Sequence, residues 1–401
     1  MKIVVVSQYF YPEEFKINDL VEEWVKQGHH ITVLTGKPNY PQGTFYSGYK
    51  FSGIQKEKYK GAKVIRVPVI RRGKGSSIRL ILNYLSFVVF GCWYVLFHKL
   101  DADAIFCFGL SPIMQAYPAL LLKKMNHSKA SIWVQDLWPE SVAAVGAVKR
   151  EGLIWKALSQ MVISIYKRCD TIFVQSTAFK TSICKKGNFE QKIIYAPNWA
   201  EDLYVKNARE IEKFETLIPS GFVVMFAGNV GAAQNFDSII KAAELTKSIS
   251  DIKWVIVGDG RMRKATEEEV QRRGLGTTIK FLGRFNSIEM PNFFVHADVM
   301  LVSLKQEDIF ALTIPSKIQT YMASGKPIVS MLDGVGNDII ENANCGLTAA
   351  AGDYKTLADN VIRLYNTPKA DLRSMGVNAK SYYHQHFEKS GVIKTIVDHL
   401  L

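Results

Sequence analysis

Short apolar runs that alternate with helix-patterned segments, first over residues 2–198 and again over 222–332, restrict this chain more than any other feature of it. KIVVVS (2–7), HITVLTG (30–36), AKVIRVPV (62–69), DAIFCFG (103–109), ASIWVQDL (130–137), DTIFVQS (170–176) and KIIYAPN (192–198) read as buried parallel strands. Between them, INDLVEEWVKQG (17–28) puts Leu20, Val21, Trp24 and Val25 on one helical face and stops at Gly28. From Trp199 to about Ser220 the chain turns polar and charged, and the alternation then restarts. FVVMFAGN (222–229), KWVIVGDG (253–260), TIKFLGR (278–284), DVMLVSL (298–304) and KPIVSML (326–332) are the second set of strands.

The expected fold class is α/β, with two doubly wound Rossmann-like domains. Their expected bounds are 1–199 and 221–375, with a hinge at 200–220 and a C-terminal helix at 376–401 that could cross back to the first domain. Ligands of open parallel sheets bind beyond the carboxyl ends of the strands, so a cleft with one substrate on each wall is expected. Length agrees, since 401 residues exceed what a single core usually serves.

A hydrophobic fraction of 48% with 22% charged residues excludes a disordered chain. Five well-separated cysteines without a CxxC pair argue against a disulfide framework or a zinc site, and fit a reducing cytosol. The start, MKIVVVSQYFYPEE, has too short an apolar run for a signal peptide, so the protein is expected in the cytoplasm. A net charge of +13 implies acidic partners: phosphate groups, anionic lipid or nucleic acid. Basic motifs interleaved with aromatics are missing, which disfavours nucleic acid.

Residues 71–99 add a constraint of their own. Arg71, Arg72, Lys74 and Arg79 precede an apolar run from Leu80 to Phe97 that only Asn83 and Ser86 notably interrupt. Such a segment is a covered core helix, a surface helix dipping into lipid with its cations on headgroups, or a span at the short end of the ~17–25 residues required. Peripheral attachment to the inner face of the plasma membrane is the working expectation, with the four cations as membrane contacts.

Chemistry is expected at the strand ends of the second domain. FAGNVGAAQNF carries Gly228 and Gly231 in a strand-to-helix turn, and VGDG carries Gly258 and Gly260. Turns of this kind either bind nothing or offer backbone N–H groups to a phosphate. Pro315-Ser316-Lys317 opens a further helix, where proline suits the first turn, Ser316 could cap, and Lys317 adds a charge to the positive helix end. Together they suggest a diphosphate site.

Gly-Asn-x-Gly, Val-Gly-Asp-Gly, Phe-Leu-Gly-Arg and Pro-Ser-Lys, followed by Tyr-Met-Ala-Ser-Gly-Lys-Pro-Ile, stand here in the order in which they resemble the C-terminal domain of GT-B glycosyltransferases of family 4. In the N-terminal half, SQYFYPEE, TGKPNYPQGTFYSGY, VQDLWPES and YAPNW resemble a bacterial subgroup that builds O-antigen and capsule, and within it the assigned L-fucosamine transferases. The resemblance implies a UDP-sugar donor on the second domain, UDP-N-acetyl-L-fucosamine above all. It implies an acceptor sugar linked through diphosphate to undecaprenol on the first, transfer with retention of configuration, and neither cofactor nor metal.

The departures from the family pattern concern charge. Two glutamates common in the family correspond to Leu312 and Thr320, and an Arg and a Lys that grip the diphosphate correspond to Asn229 and Gln234. The cationic role then falls to Lys317, with Arg284 as a further candidate. Glu307, beside Asp308, is the nearest carboxylate to stand in for the glutamates, or belongs to a solvated loop pair. Asp136, at a strand's carboxyl end, could orient or deprotonate the acceptor hydroxyl, or cap the helix after it, and Glu140 follows. Glu13, Glu14, Tyr40, Gln42 and Gly43 are acceptor-side candidates. A UDP-sugar epimerase of the same architecture and a non-catalytic nucleotide-sugar-binding subunit are the alternative readings.

Overall fold

In the computed structural model, which describes residues 1–73, 75, 77–144, 146–205 and 212–401, the two sets of runs become two separate sheets. The first holds β1 (Lys2–Val6), β2 (His30–Gly36), β3 (Gln55–Tyr59), β4 (Ala62–Val67), β5 (Ala104–Gly109), β6 (Lys129–Val134), β7 (Thr171–Val174) and β8 (Ile193–Tyr195). Their order is β3-β4-β2-β1-β5-β6-β7-β8, with every pair parallel except the β3–β4 hairpin. The second holds β9 (Phe222–Ala227), β10 (Ile252–Val257), β11 (Ile279–Gly283), β12 (Val299–Ser303), β13 (Ile328–Met331) and β14 (Gly346–Ala349), all parallel, in the order β11-β10-β9-β12-β13-β14.

The chain divides into unit 1, Met1–Ala196 with Ser390–Leu401, and unit 2, Pro197–Lys389. The Lys369–His386 helix packs within unit 2, where Ala379, Tyr383 and Phe387 enter the core. In unit 1 the chain end is tied by a bond from the Thr171 hydroxyl to the His399 carbonyl.

Uniform apolarity of the strands follows from helices on both faces. Along β9, Val223, Met225 and Ala227 enter one core cluster while Phe222, Val224 and Phe226 enter the other. The same two-residue period makes each face of the sheet a separate packing problem. Two strands had no such signature. QKEKY, now β3, is an edge strand polar at all but its last residue, and GLTA, now β14, is a four-residue edge.

Within segment 71–99 the apolar run forms the helix Ser77–Phe97, which is long and apolar enough to cross a membrane, with 33% of its most apolar window buried. Its polar residues face inward. Asn83 is fully buried, accepts from Gln8 Nε2 at 2.7 Å and donates to the Ile70 carbonyl at 2.6 Å, while Ser86 Oγ accepts from the Ile70 N–H at 2.9 Å. The outward face carries Ile78, Ile81, Leu85, Val89, Trp93 and Leu96, all exposed. A covered core helix is therefore not what this segment forms, because its hydrogen-bonding side chains and Phe87, Tyr94 and Val95 already fill the inner face. Gly91 lets it approach the Ala116–Asn126 helix, since a Cβ there would stand 2.8 Å from Pro118 Cγ.

Candidate functional site

Both sheets reverse their strand order beside the first strand of the unit, at β1/β5 and at β9/β12, and such switch points open a crevice beyond the carboxyl ends. In unit 2 three glycines with positive φ end adjacent strands: Gly228 (136°), Gly258 (149°) and Gly283 (86°). Gly258 has no alternative, because a Cβ on it would lie 1.8 Å from the Gly228 carbonyl oxygen. Hydrogen bonds stitch the turns together, from Val230 N–H to the Asp259 carbonyl (2.9 Å), Met262 N–H to Val230 (3.0 Å) and Lys305 N–H to Ala233 (2.8 Å).

Asn229 packs between two further glycines. Its Nδ2 would be 2.4 Å from a Cβ on Gly231, and its Oδ1 2.7 Å from one on Gly260. Gln234 turns back on its own loop, where Oε1 accepts from the Gly231 N–H at 3.2 Å. Asn235 then takes a left-handed conformation and the helix Phe236–Leu245 begins.

Against this edge stands the helix Ser316–Ala323. Tyr321, fully buried, fixes it there: its hydroxyl accepts from the Ala227 N–H at 3.1 Å and donates to the Ala227 carbonyl at 3.2 Å. Four residues earlier on the same helical face, Lys317 is carried to the Gly228 turn. A Cβ at Gly228 would lie 3.1 Å from Lys317 Nζ, which stands 5.0 Å from the centre of the Phe226 ring. Burial lowers the Lys317 ammonium from 10.5 to about 8, and no carboxylate faces it among the described residues. The expected cap by Ser316 does not form: Pro315 occupies the N-cap position, Ser316 is the first helical residue, and no side chain caps the end. That leaves the first-turn N–H groups without a side-chain acceptor, as an anion site requires. Thr320 lies one turn along the same helix and is half-buried.

Glu307 and Arg284 are both exposed. Glu307 is the N-cap of the short helix Asp308–Ala311, and only its carbonyl caps, accepting from Phe310 N–H at 2.9 Å. Arg263 is a cation that the sequence did not single out. Its guanidinium covers Gly283, with Nη1 3.1 Å from where a Cβ would be, while Nε bonds Glu267 at 2.9 Å.

In unit 1 the β5–β6 register pairs Gly109 with Val134 and so brings the residues two positions beyond, Ser111 and Asp136, side by side. Asp136 Oδ2 accepts from the Ser111 N–H at 2.9 Å and from its hydroxyl at 2.8 Å, and Ser111 Oγ accepts from Trp138 Nε1 at 2.8 Å. Asp136 is thus held by the loop after β5, through Ser111. Glu140 is paired with Lys186.

Glu13 is a correction. It is buried rather than open to a ligand, and its carboxylate accepts from the N–H groups of Phe10 (3.2 Å), Asn39 (2.8 Å) and Tyr40 (2.7 Å), so it ties two loops together. Burial raises it to about 7 against those hydrogen bonds. Gly43 is buried too, with φ 77°, and clasps the chain at Gly73: Gly73 N–H bonds its carbonyl at 2.8 Å, and a Cβ would lie 2.2 Å from the Gly73 oxygen. Glu14 and Gln42 are exposed.

Arg72 is the second correction. Instead of pointing to headgroups it turns inward, donating to Tyr9 Oη at 3.0 Å and stacking over the Tyr40 ring at 5.1 Å. Tyr84, which the sequence did not mark, joins Tyr9 by a hydrogen bond and feels both Arg72 and Asp136, with burial pushing its phenol up. Tyr9, Tyr40, Arg72, Tyr84 and Asp136 therefore form one polar and aromatic cluster beyond the strands of unit 1. Arg71 and Arg79 are exposed, with Arg79 lying against Gly73, and Lys74 lies outside the described residues.

Residues 221–367, all within unit 2, match the family described as glycosyl transferases group 1. WcaI of Escherichia coli (strain K12), provisionally assigned as a colanic acid biosynthesis glycosyl transferase, is 24% identical over 81% of this chain and 82% of its own. WaaG, a glycosyltransferase involved in lipopolysaccharide biosynthesis, superposes with a TM-score of 0.66 at 15% identity, covering 100% of this chain and 99% of its own. The fold is GT-B. Anabaena HepE, solved in complex with UDP and glucose, shares this GT-B fold with a TM-score of 0.69 at 14% identity, over 100% of this chain and 99% of the other.

Proposed function

We propose that the protein is a glycosyltransferase of surface-polysaccharide synthesis that moves a sugar, N-acetyl-L-fucosamine as the first candidate, from a UDP-sugar to a sugar on a lipid-linked diphosphate. One observation carries the reading: the half-buried Lys317 ammonium faces no carboxylate among the described residues, at a switch point of unit 2, between the Gly228 turn and an uncapped helix start. A diphosphate supplies the charge that such a cation lacks, and the glycosyl transferases group 1 match over the same residues supports a nucleotide-sugar as its carrier. The names of WcaI and WaaG support a polysaccharide or lipopolysaccharide acceptor.

In this reading the acceptor hydroxyl oxygen bonds to the sugar's anomeric carbon while the bond from that carbon to the diphosphate oxygen breaks, through an oxocarbenium-like state. UDP leaves with both electrons of that bond, neutralised by Lys317 and the helix start, so no step calls for a metal. Asp136, held by Ser111 through one oxygen, orients the acceptor hydroxyl with the other, and the hydroxyl proton leaves to it or to the departing diphosphate. Retention of configuration rests on the family resemblance. The exposed apolar face of the Ser77–Phe97 helix supports peripheral attachment to the cytoplasmic side of a membrane.

The test is a panel of UDP- and dTDP-sugars with undecaprenyl-diphospho-N-acetylglucosamine, read by mass spectrometry. A product heavier by one sugar residue is expected, with its anomeric proton coupling reporting the stereochemistry. Absence of transfer from every donor, with epimer formed when acceptor is omitted, would give the site to an epimerase instead.

A further inference from the structure

Unit 1 contains a groove that the proposed transfer does not use. It lies among the helix Ser77–Phe97, the helix Ala116–Asn126 and the carboxyl end of the helix Leu153–Arg168, with a volume of about 1020 Å³. That is at the upper end of the ~300–1,000 Å³ of ordinary small-molecule sites. Its wall includes Val88, Cys92 and Leu121, and its rim carries Lys124, Lys167 and Arg168, with no carboxylate among the lining residues.

We propose that this groove binds one anionic phospholipid, with an acyl chain against Val88, Cys92 and Leu121 and the phosphate among Lys124, Lys167 and Arg168. Charge complementarity selects the headgroup. Lys123, which also lines the groove, is already neutralised by Asp170 at 2.7 Å, whereas Lys124, Lys167 and Arg168 enter no ion pair among the described residues. Cations in the last turn of a helix also favour its dipole, but that accounts for their position and not for the apolar groove they border. The approach is apolar as well: Val89 and Trp93, next to Val88 and Cys92 in sequence, are 62% and 45% exposed on the outer face of the same helix. A chain leaving a lipid surface in contact with that face would meet the groove at once.

The acceptor is a poor occupant. Ser128, in the groove wall, immediately precedes β6, whereas Asp136 follows the carboxyl end of the same strand. A six-residue strand separates the two by roughly 20 Å.

The inference deepens the peripheral-attachment part of the proposed function and does not depend on sugar transfer. Cys92 reports on the groove. Of the five cysteines, Cys107, Cys169 and Cys345 are buried, so Cys184→Ser leaves Cys92 as the one half-buried thiol. Modification of Cys92 by a small maleimide is followed by mass spectrometry on the full chain, with monomeric dioctanoyl-phosphatidylglycerol or dioctanoyl-phosphatidylcholine below their micelle concentrations. At ten times its Kd, phosphatidylglycerol is expected to slow labelling about tenfold, and phosphatidylcholine to protect far less. Lys124→Gln with Lys167→Gln should erase the difference, with the circular dichroism spectrum unchanged. Equal protection by the two lipids, or none, overturns the proposal, as does protection by farnesyl diphosphate alone. Flotation with phosphatidylglycerol vesicles separates the two readings: vesicle binding without Cys92 protection sinks the groove and keeps attachment, and protection without vesicle binding does the reverse.

Discussion

Lys317 Nζ stands 5.0 Å above the Phe226 ring and faces the turn at Gly228, where only the lack of a side chain leaves it room. Replacing it tests the donor site directly. Lys317→Met should weaken UDP binding by about 1.5–3 kcal/mol, the range for a hydrogen bond to a charged group, as read by calorimetry. In the unmodified protein, UDP affinity should fall as pH rises through about 8, where the ammonium loses its proton.

Stability responds with the opposite sign to affinity. Between about 8 and 10.5 the unfolded chain holds a proton on Lys317 that the folded one does not, so this residue makes stability rise with pH across that window. At neutral pH the folded state carries the unfavourable charge. Lys317→Met is therefore expected to stabilise by the order of 1–2 kcal/mol, less than the full shift because part of the side chain stays in water. A urea titration at pH 7 checks it, and a large destabilisation would contradict the burial of an uncompensated charge.

Asp136→Asn keeps an oxygen for the two bonds from Ser111 and removes only the carboxylate charge. If Asp136 handles the acceptor hydroxyl, kcat should fall about 10²–10⁴-fold with the donor KM unchanged. Ser111→Ala, which loses one of the two bonds, should give a smaller loss.

Asn83 is the buried anchor of an otherwise apolar helix. Asn83→Leu strands Gln8 Nε2 and the Ile70 carbonyl, which should cost about 2–4 kcal/mol, seen as an earlier urea midpoint by tryptophan fluorescence. Leu85→Gln, on the exposed face, should stay within about 0.5 kcal/mol.

Glu13 has a pH signature of its own. With its carboxyl raised from 4.5 to about 7, the folded state holds the proton longer than the unfolded one, so this group's contribution to stability falls as pH rises from 4.5 towards 7. Glu13→Gln should flatten that part of the profile in chemical denaturation followed at several pH values.

How far the site was legible depends on the range of the interactions that make it. Gly228, Gly258 and Lys317 announce themselves because strand, turn and helix start are local patterns of a few residues. Tyr84 and Arg72 do not, because their partners Tyr9 and Tyr40 come from other segments, and an arginine before an apolar run looks the same whether it meets lipid or tyrosine. Glu13 misled for a similar reason: an acid in a loop after a strand reads as open to an acceptor until another loop brings its backbone N–H groups to it.

The sequence by itself determined the two sheets, their approximate strands and the glycine turns, since periodicity and backbone permissiveness are properties of neighbouring residues. Which side of the Ser77–Phe97 helix meets the protein was decided only in three dimensions. The helix is apolar nearly all round, and Asn83 and Ser86 would ordinarily mark the side toward water, so the choice falls to tertiary hydrogen bonds such as the one across 75 residues from Gln8 to Asn83. Burying the amide with its partners turns the isoleucines, leucines and Trp93 outward.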